Sequence, residues 1–155
     1  VAQQQSPAIR KLCKVDVKQG LVFGFAIVCK IRDEKTGAMV DYYDEGSVDP
    51  DGLIYSDHIS EEEMLAAATD FMKSAERPHT ADHAREADDE TPVSSGGVVH
   101  SLPLTSDLLK SLGMTSPFTG WLVAVKPDAP TLAKWASGEL QQFSIGGGGA
   151  RQKGV

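Results

Sequence analysis

Basic residues are in short supply in this chain: 15 Lys and Arg stand against 22 Asp and Glu, for a formal net charge of −7, and they form no cluster. Nucleic-acid binding needs a local cationic excess to meet the phosphates, so no such partner is expected. Cysteine is scarcer still. Cys13 and Cys29 both sit on strand-like stretches, and nothing in the sequence points to an oxidising compartment, so both read as buried reduced thiols. Long apolar runs are missing as well. The longest, "LVFGFAIVC" from Leu21, is too short to cross a bilayer, and ordered-looking sequence precedes it, so neither a membrane span nor a signal peptide is expected. Two nucleotide motifs fail on inspection: "GGGGARQKG" lacks the P-loop spacing, and "GFAIV" is no dinucleotide fingerprint. No cofactor is expected, and the chain reads as cytosolic.

What remains is an ordinary globular composition, 41% hydrophobic and 24% charged over 155 residues, enough for one domain with a core of its own. Residues 1–9, "VAQQQSPAI", are polar and read as a disordered N-terminal segment. Residues 10–147 form the domain, and 148–155 a glycine-rich tail. Alternation in "KLCKVDV" sets Cys13, Val15 and Val17 on one side of a half-buried strand. "KQG" turns into the longer strand "LVFGFAIVCKI", in which Gly24 marks a bulge or bend. "DEKTGAMVDYYD" continues as a turn and a third strand, giving an antiparallel meander, and "DEGSVDPDG" reads as a loop.

The clearest helix follows. Ser60 and Glu63 form a capping box, and Met64, Leu65, Ala68, Phe71 and Met72 make an apolar stripe over about Glu61 to Ser74. The polar stretch "ERPHTADHAREADDETPVSSGG" reads as a long loop or lid. After it come a strand in "GVVHSLPL", a short helix in "TSDLLKSLG" with Thr105 or Ser106 at its N-cap and Gly113 at its end, and a buried strand in "GWLVAVK". A helix in "DAPTLAKWASG" then carries Pro130 in its first turn and Gly138 just past its end. "LQQFSIG" closes the sheet. The expected fold is α+β, mainly antiparallel, with a partly closed, barrel-like sheet surrounded by helices.

The chain's end, "GELQQFSIGGGGARQKGV", places Ser144 on a short strand-like run directly before Gly146 to Gly149. One reading is a flexible tail. The other is a nucleophile beside a backbone bare enough for a substrate to approach. A serine hydroxyl needs a base, and the histidines are His58, His79, His83 and His100. Strand alternation puts Val98, His100 and Leu102 on one face and Val99 and Ser101 on the other. A competing arrangement is a metal site: His79 and His83 at i and i+4 with Asp82 suit a divalent ion on a short helix, although the catalytic Glu of a zinc-protease helix is lacking.

Several stretches resemble a known family. "VFGFAIV", "DHISEEEMLAAATDFM", the segment from His83 to "GVVHS", and "GWLVAVK" with "LAKWASGELQQFSIGG" look like the XkdF-like phage serine proteases. These belong with the prohead, or capsid maturation, proteases, which resemble herpesvirus assemblin in fold. The likeness spans about Val22 to Gly147, and "SGELQQFSIGG" is its most specific piece. It implies Ser144 as nucleophile and His83 as general base, with His79 the alternative base. Similar sequences tend to carry a Glu where this chain has His100 before Ser101. That departure would recreate the Ser-His-His arrangement of assemblin with His100 as third member. Amides near Gly146 and Gly147 would form the oxyanion site, and Arg151 would steady that loop.

The substrates the likeness implies are scaffold and major capsid protein precursors inside an assembling procapsid in the host cytoplasm, with self-cleavage as the last act. It also implies a homodimer. Val1 at the front and "QKGV" at the end fit self-trimming and fit cloning equally. The two readings that compete with a serine endopeptidase are a metal-dependent hydrolase at His79, Asp82 and His83 and a non-catalytic capsid assembly module.

Overall fold

The computed structural model describes residues 14–44, 48, 50–74, 96–140 and 143. The elements are β1 (Lys14–Asp16), β2 (Leu21–Arg32), β3 (Met39–Asp41), α1 (Glu61–Lys73), β4 (Gly96–Leu104), α2 (Ser106–Ser111), β5 (Phe118–Pro127) and α3 (Ala129–Ser137). The fold is α+β, as expected. Among the described residues every strand pairing is antiparallel, and the order β1-β2-β5-β4, with β3 also on β2, makes an open five-stranded sheet rather than a partly closed barrel.

The expected meander is replaced by another arrangement. β5 pairs along β2 from Val22 to Ile31, so β1 and β3 share the opposite edge of β2, one at each end. A distant strand has taken the edge that a local meander would have used. The turns are local chemistry. Asp16 Oδ1 accepts from the Gln19 N–H at 2.9 Å, and Asp33 Oδ1 accepts from Lys35 N (2.8 Å) and Thr36 N (2.9 Å). These two backbone bonds hold the exposed Asp33 carboxyl below its ordinary range. Val17, placed inward by simple alternation, falls in the first turn and is exposed.

Bulges set which side chains face inward. Gly24 pairs in regular register with Val123, and the irregularities lie beyond it, between Phe25 and Ile27 and between Val28 and Lys30. The glycine that matters is on the facing strand, opposite Val28 between the two irregularities. Gly120 has φ +151°, and a Cβ there would run into the Ile27 carbonyl oxygen, so β5 reaches the bulged β2 only with a bare backbone.

Helix α1 starts at the predicted capping box: Glu63 N donates to Ser60 Oγ at 3.2 Å, and Ser60 N donates to the Glu63 carboxylate at 3.2 Å. Met64 and Ala68 are buried on the sheet, and Phe71 meets Trp121 edge-on at 5.2 Å. Leu65 lies off this stripe and is exposed, because the helix seats a narrower face than the pattern suggests. Thr105 caps α2, and Asp128 caps α3 by accepting from Thr131 N at 2.9 Å. Gly113 and Gly138 take the left-handed conformations that follow the two helices.

Two clusters make up the core on the helix side of the sheet. Under α1 lie Ile27, Cys29, Trp121 and Val123 with Met64 and Ala68. Under α3 lie Val22 and Val125 with Trp135. Val98 and Phe143 pack against both.

Candidate functional site

Ser144, Gly146, Gly147 and Arg151 lie outside the described residues, as do His79, Asp82 and His83. The approach to the serine is described in part. α3 ends at Gly138 with φ +82°, and Leu140 N then donates to the Lys134 carbonyl at 3.2 Å, so the chain turns back along the helix it has just left. Phe143 stacks at a tilt on Trp135, ring centroids 4.9 Å apart, in the seam between the two core clusters. Neither Leu140 nor Phe143 is in a strand, so at these residues the expected closing strand is replaced by a packed, irregular segment. The residue immediately before Ser144 is therefore held by aromatic packing.

His100 is placed, and its surroundings differ from expectation. A bulge between Val98 and His100 shifts the register: Val98 pairs with Val125, while His100 pairs with Ala124 and Leu102 with Leu122. Cross-strand partners share a face. Val98 thus joins Val125 under the helices, whereas His100 and Leu102 stand on the opposite face and are exposed. Ser101, not His100, faces the helix side, where its Oγ accepts from Trp121 Nε1 at 2.8 Å. Simple alternation misses this because it has no means of counting an inserted residue.

Two polar clusters were not singled out by sequence. In the first, His58 Nδ1 lies 2.8 Å from the Tyr42 carbonyl oxygen, which can only accept, so Nδ1 carries the proton. Nε2 lies 3.7 Å from Asp41 Oδ1, and Lys30 Nζ is 3.8 Å from the same oxygen. With one ring nitrogen given to a carbonyl and the other turned to a carboxylate, this imidazole ties β3 to the chain leading into α1 rather than offering a free base. Its partners lie 16 and 17 positions upstream, and "DHIS" holds no local sign of them.

The second cluster joins two helix starts. Glu61, the first residue of α1, accepts from Ser106 N at 3.0 Å and Ser106 Oγ at 2.7 Å, and Ser106 is the first residue of α2. Burial opposes ionisation of Glu61. The Ser106 hydroxyl, the neighbouring Thr119 hydroxyl, the Ser106 N–H and the Lys30 charge outweigh it and hold the carboxyl below its ordinary range. Thr119 Oγ1 is fully buried and makes no hydrogen bond of good geometry among the described residues. One carboxylate thus serves the positive ends of two helices.

Cys29 is buried and unpaired with another cysteine, and Cys13 lies outside the described residues. Burial first, and the Glu61 charge second, push the Cys29 thiol up to about 11 against the opposing Lys30 charge. A thiol that stays protonated at neutral pH is a packing residue, not a nucleophile. Among the described residues no group of three or more His, Cys, Asp or Glu is placed to hold a metal ion, and no helix is long and apolar enough to cross a membrane. No family model, no curated protein and no solved structure matches this chain.

Proposed function

We propose that this chain is a serine endopeptidase of the capsid maturation type, with Ser144 as nucleophile and His83 as general base. The observation that carries the reading is the segment "SGELQQFSIGG": its likeness to the family names Ser144, and its Phe143 is wedged against Trp135 and both core clusters. A nucleophile gains from following a fixed residue, because attack needs the oxygen held close to one geometry. The α+β sheet with surrounding helices supports an assemblin-like architecture in its coarse form.

In this mechanism Ser144 Oγ attacks the substrate carbonyl carbon as its proton passes to His83. The oxyanion is met by amides near Gly146 and Gly147, where no Cβ obstructs approach. Collapse breaks the C–N bond, and the proton on His83 goes to the departing amine. Water, deprotonated by the same imidazole, then hydrolyses the acyl-enzyme and frees Ser144. The likeness implies His100 as third member, orienting His83 as a carboxylate does in commoner triads; its exposed position on the sheet face away from Phe143 weighs against that role. No cofactor enters. The substrates are scaffold and capsid precursors in the procapsid and the chain itself, acted on by a homodimer.

The test is intact mass over time for the precursor with its natural flanking sequence, beside Ser144→Ala, His83→Ala and His100→Ala. Shortening of the parent with both Ser144→Ala and His83→Ala left whole is the expected result, a loss of at least about 10³-fold in rate. A rate decrease and altered pH profile in His100→Ala assign it to the triad, and an unchanged profile removes it. Processing that survives Ser144→Ala and stops with chelator would replace the proposal with the metal hydrolase. Absence of processing in every form, at concentrations that favour dimers, would leave the assembly module.

A further inference from the structure

Asparagine is absent from this chain, and aspartate is followed by glycine once, at Asp51–Gly52. The step matters because a backbone amide can attack the side-chain carboxyl of the residue before it, and glycine, with no Cβ, leaves that approach unobstructed. After every other aspartate comes a residue whose side chain hinders the attack. Asp16 and Asp33 also begin turns, but Val17 and Glu34 follow them. The sequence thus offers one favoured place for the reaction, and the fold decides whether it is open there.

The fold leaves it open. Asp51 and Gly52 lie between Val48 and Ile54, which an antiparallel bridge joins, and every residue from Pro50 to Ile54 is exposed. Gly52 has φ +81°, and a Cβ placed on it would meet nothing within 4 Å, so open space surrounds the backbone that must move. Among the described residues no oxygen accepts from the Gly52 N–H. The attacking amide therefore gives up no hydrogen bond when it turns toward the carboxyl.

We propose that Asp51 is a site of spontaneous isoaspartate formation in the folded chain. The Gly52 nitrogen loses its proton and attacks Asp51 Cγ; the N–Cγ bond forms, and one carboxyl oxygen departs as water, closing a cyclic succinimide. Water then opens the ring. Addition at Cγ breaks the new bond and restores aspartate, whereas addition at the main-chain carbonyl breaks the original peptide bond and leaves Gly52 joined through the side chain. The product has the parent mass, one more carbon in the backbone of the turn, and its free carboxylate on the former main-chain carbon. Water is the one co-reactant, and no residue of the endopeptidase site takes part.

The test is incubation at neutral pH of the purified full chain, its Asp51→Glu and Gly52→Ala forms, and a peptide spanning Val48 to Ile54. Each is sampled for methyl transfer by an isoaspartyl methyltransferase and for a species lighter by one water. The expected result is methylation of the folded chain that grows at a rate within an order of magnitude of the peptide's and maps to the fragment holding Asp51. It is lost in Asp51→Glu, whose longer side chain disfavours ring closure, and reduced in Gly52→Ala. A peptide that reacts while the folded chain stays unlabelled overturns the proposal, because the fold then protects the site. Equal labelling of the parent and Asp51→Glu overturns it too, giving the modification to another aspartate, and so does labelling of neither chain nor peptide.

Discussion

The two faces of the sheet are built from the same strands and serve unlike ends. On one, Val22, Ile27, Cys29, Trp121, Val123 and Val125 are buried under α1 and α3. On the other, Ala124, Phe118 and Leu104 are buried, Phe23, Phe25 and Leu122 are half-buried, and Leu102 and His100 are exposed. Both faces are apolar in composition, so hydrophobicity alone does not say which one the helices cover. The bulges and the helix connections decide it, and the difference shows where substitutions ought to hurt.

The largest effect is expected where neither face is at issue but the strands themselves meet. Gly120→Ala drives a methyl group into the Ile27 backbone and adds strain at positive φ, for a loss on the order of 3 kcal/mol or more. Urea unfolding measures it, and a loss below about 1 kcal/mol would mean that the bulged β2 gives way easily. Next is Met64→Ala on the covered face. Met64 is fully buried, so removal of its side chain leaves a cavity and costs about 3 kcal/mol by the same measurement.

Glu61→Gln sharpens the comparison at the rim of the covered face, with an expected loss of about 1 kcal/mol at neutral pH for a partly exposed charge-assisted pair of hydrogen bonds. Its pH dependence has a definite sign. The folded carboxyl lies below its ordinary value of 4.5, so the unfolded chain binds the proton first as pH falls. The stabilisation is fully present above about pH 5 and is lost as pH drops through the folded value. The gap in urea midpoint between parent and Glu61→Gln should therefore narrow from pH 6 to pH 3. A gap that stays constant would contradict the ionised cap. The smallest effect belongs to the exposed part of the other face, around His100 and Leu102. Leu102→Ser, at a position 47% exposed, should change stability by less than about 1 kcal/mol, and a loss near that of Met64→Ala would show that this face is covered after all.

Legibility in the sequence followed range of interaction. The helix starts at Ser60, Thr105 and Asp128 and the glycines after α2 and α3 were readable, because each depends on groups within about four positions along the chain. The alternation in "GVVHSLPL" was readable as a strand, but its phase was not. The extra residue between Val98 and His100 is tolerated only through pairing with β5, and it moves His100 to the face away from Phe143. The stretch from Asp44 to Gly52 reads as a loop because Pro50, Asp51 and Gly52 outweigh the short apolar pair Val48 and Ile54, which the fold joins in an antiparallel bridge. For the candidate site, the likeness at "SGELQQFSIGG" supplied Ser144, and packing supplied the role of Phe143 beside Trp135.

By itself, then, the sequence determined where helices begin and end, that the stretches of β2, β4 and β5 extend, and that basic clusters and membrane-spanning apolar runs are not features of its composition. Tertiary structure alone decided that β5 takes the long edge of β2, that β1 and β3 share the other edge, that the sheet stays open, and that Glu61 serves two helices. The physical reason is separation along the chain. Caps and turns are made by neighbours whose meeting costs little entropy, whereas strand order, bulge phase and the Glu61 to Ser106 bond join residues tens of positions apart, and only the packed whole can hold them together.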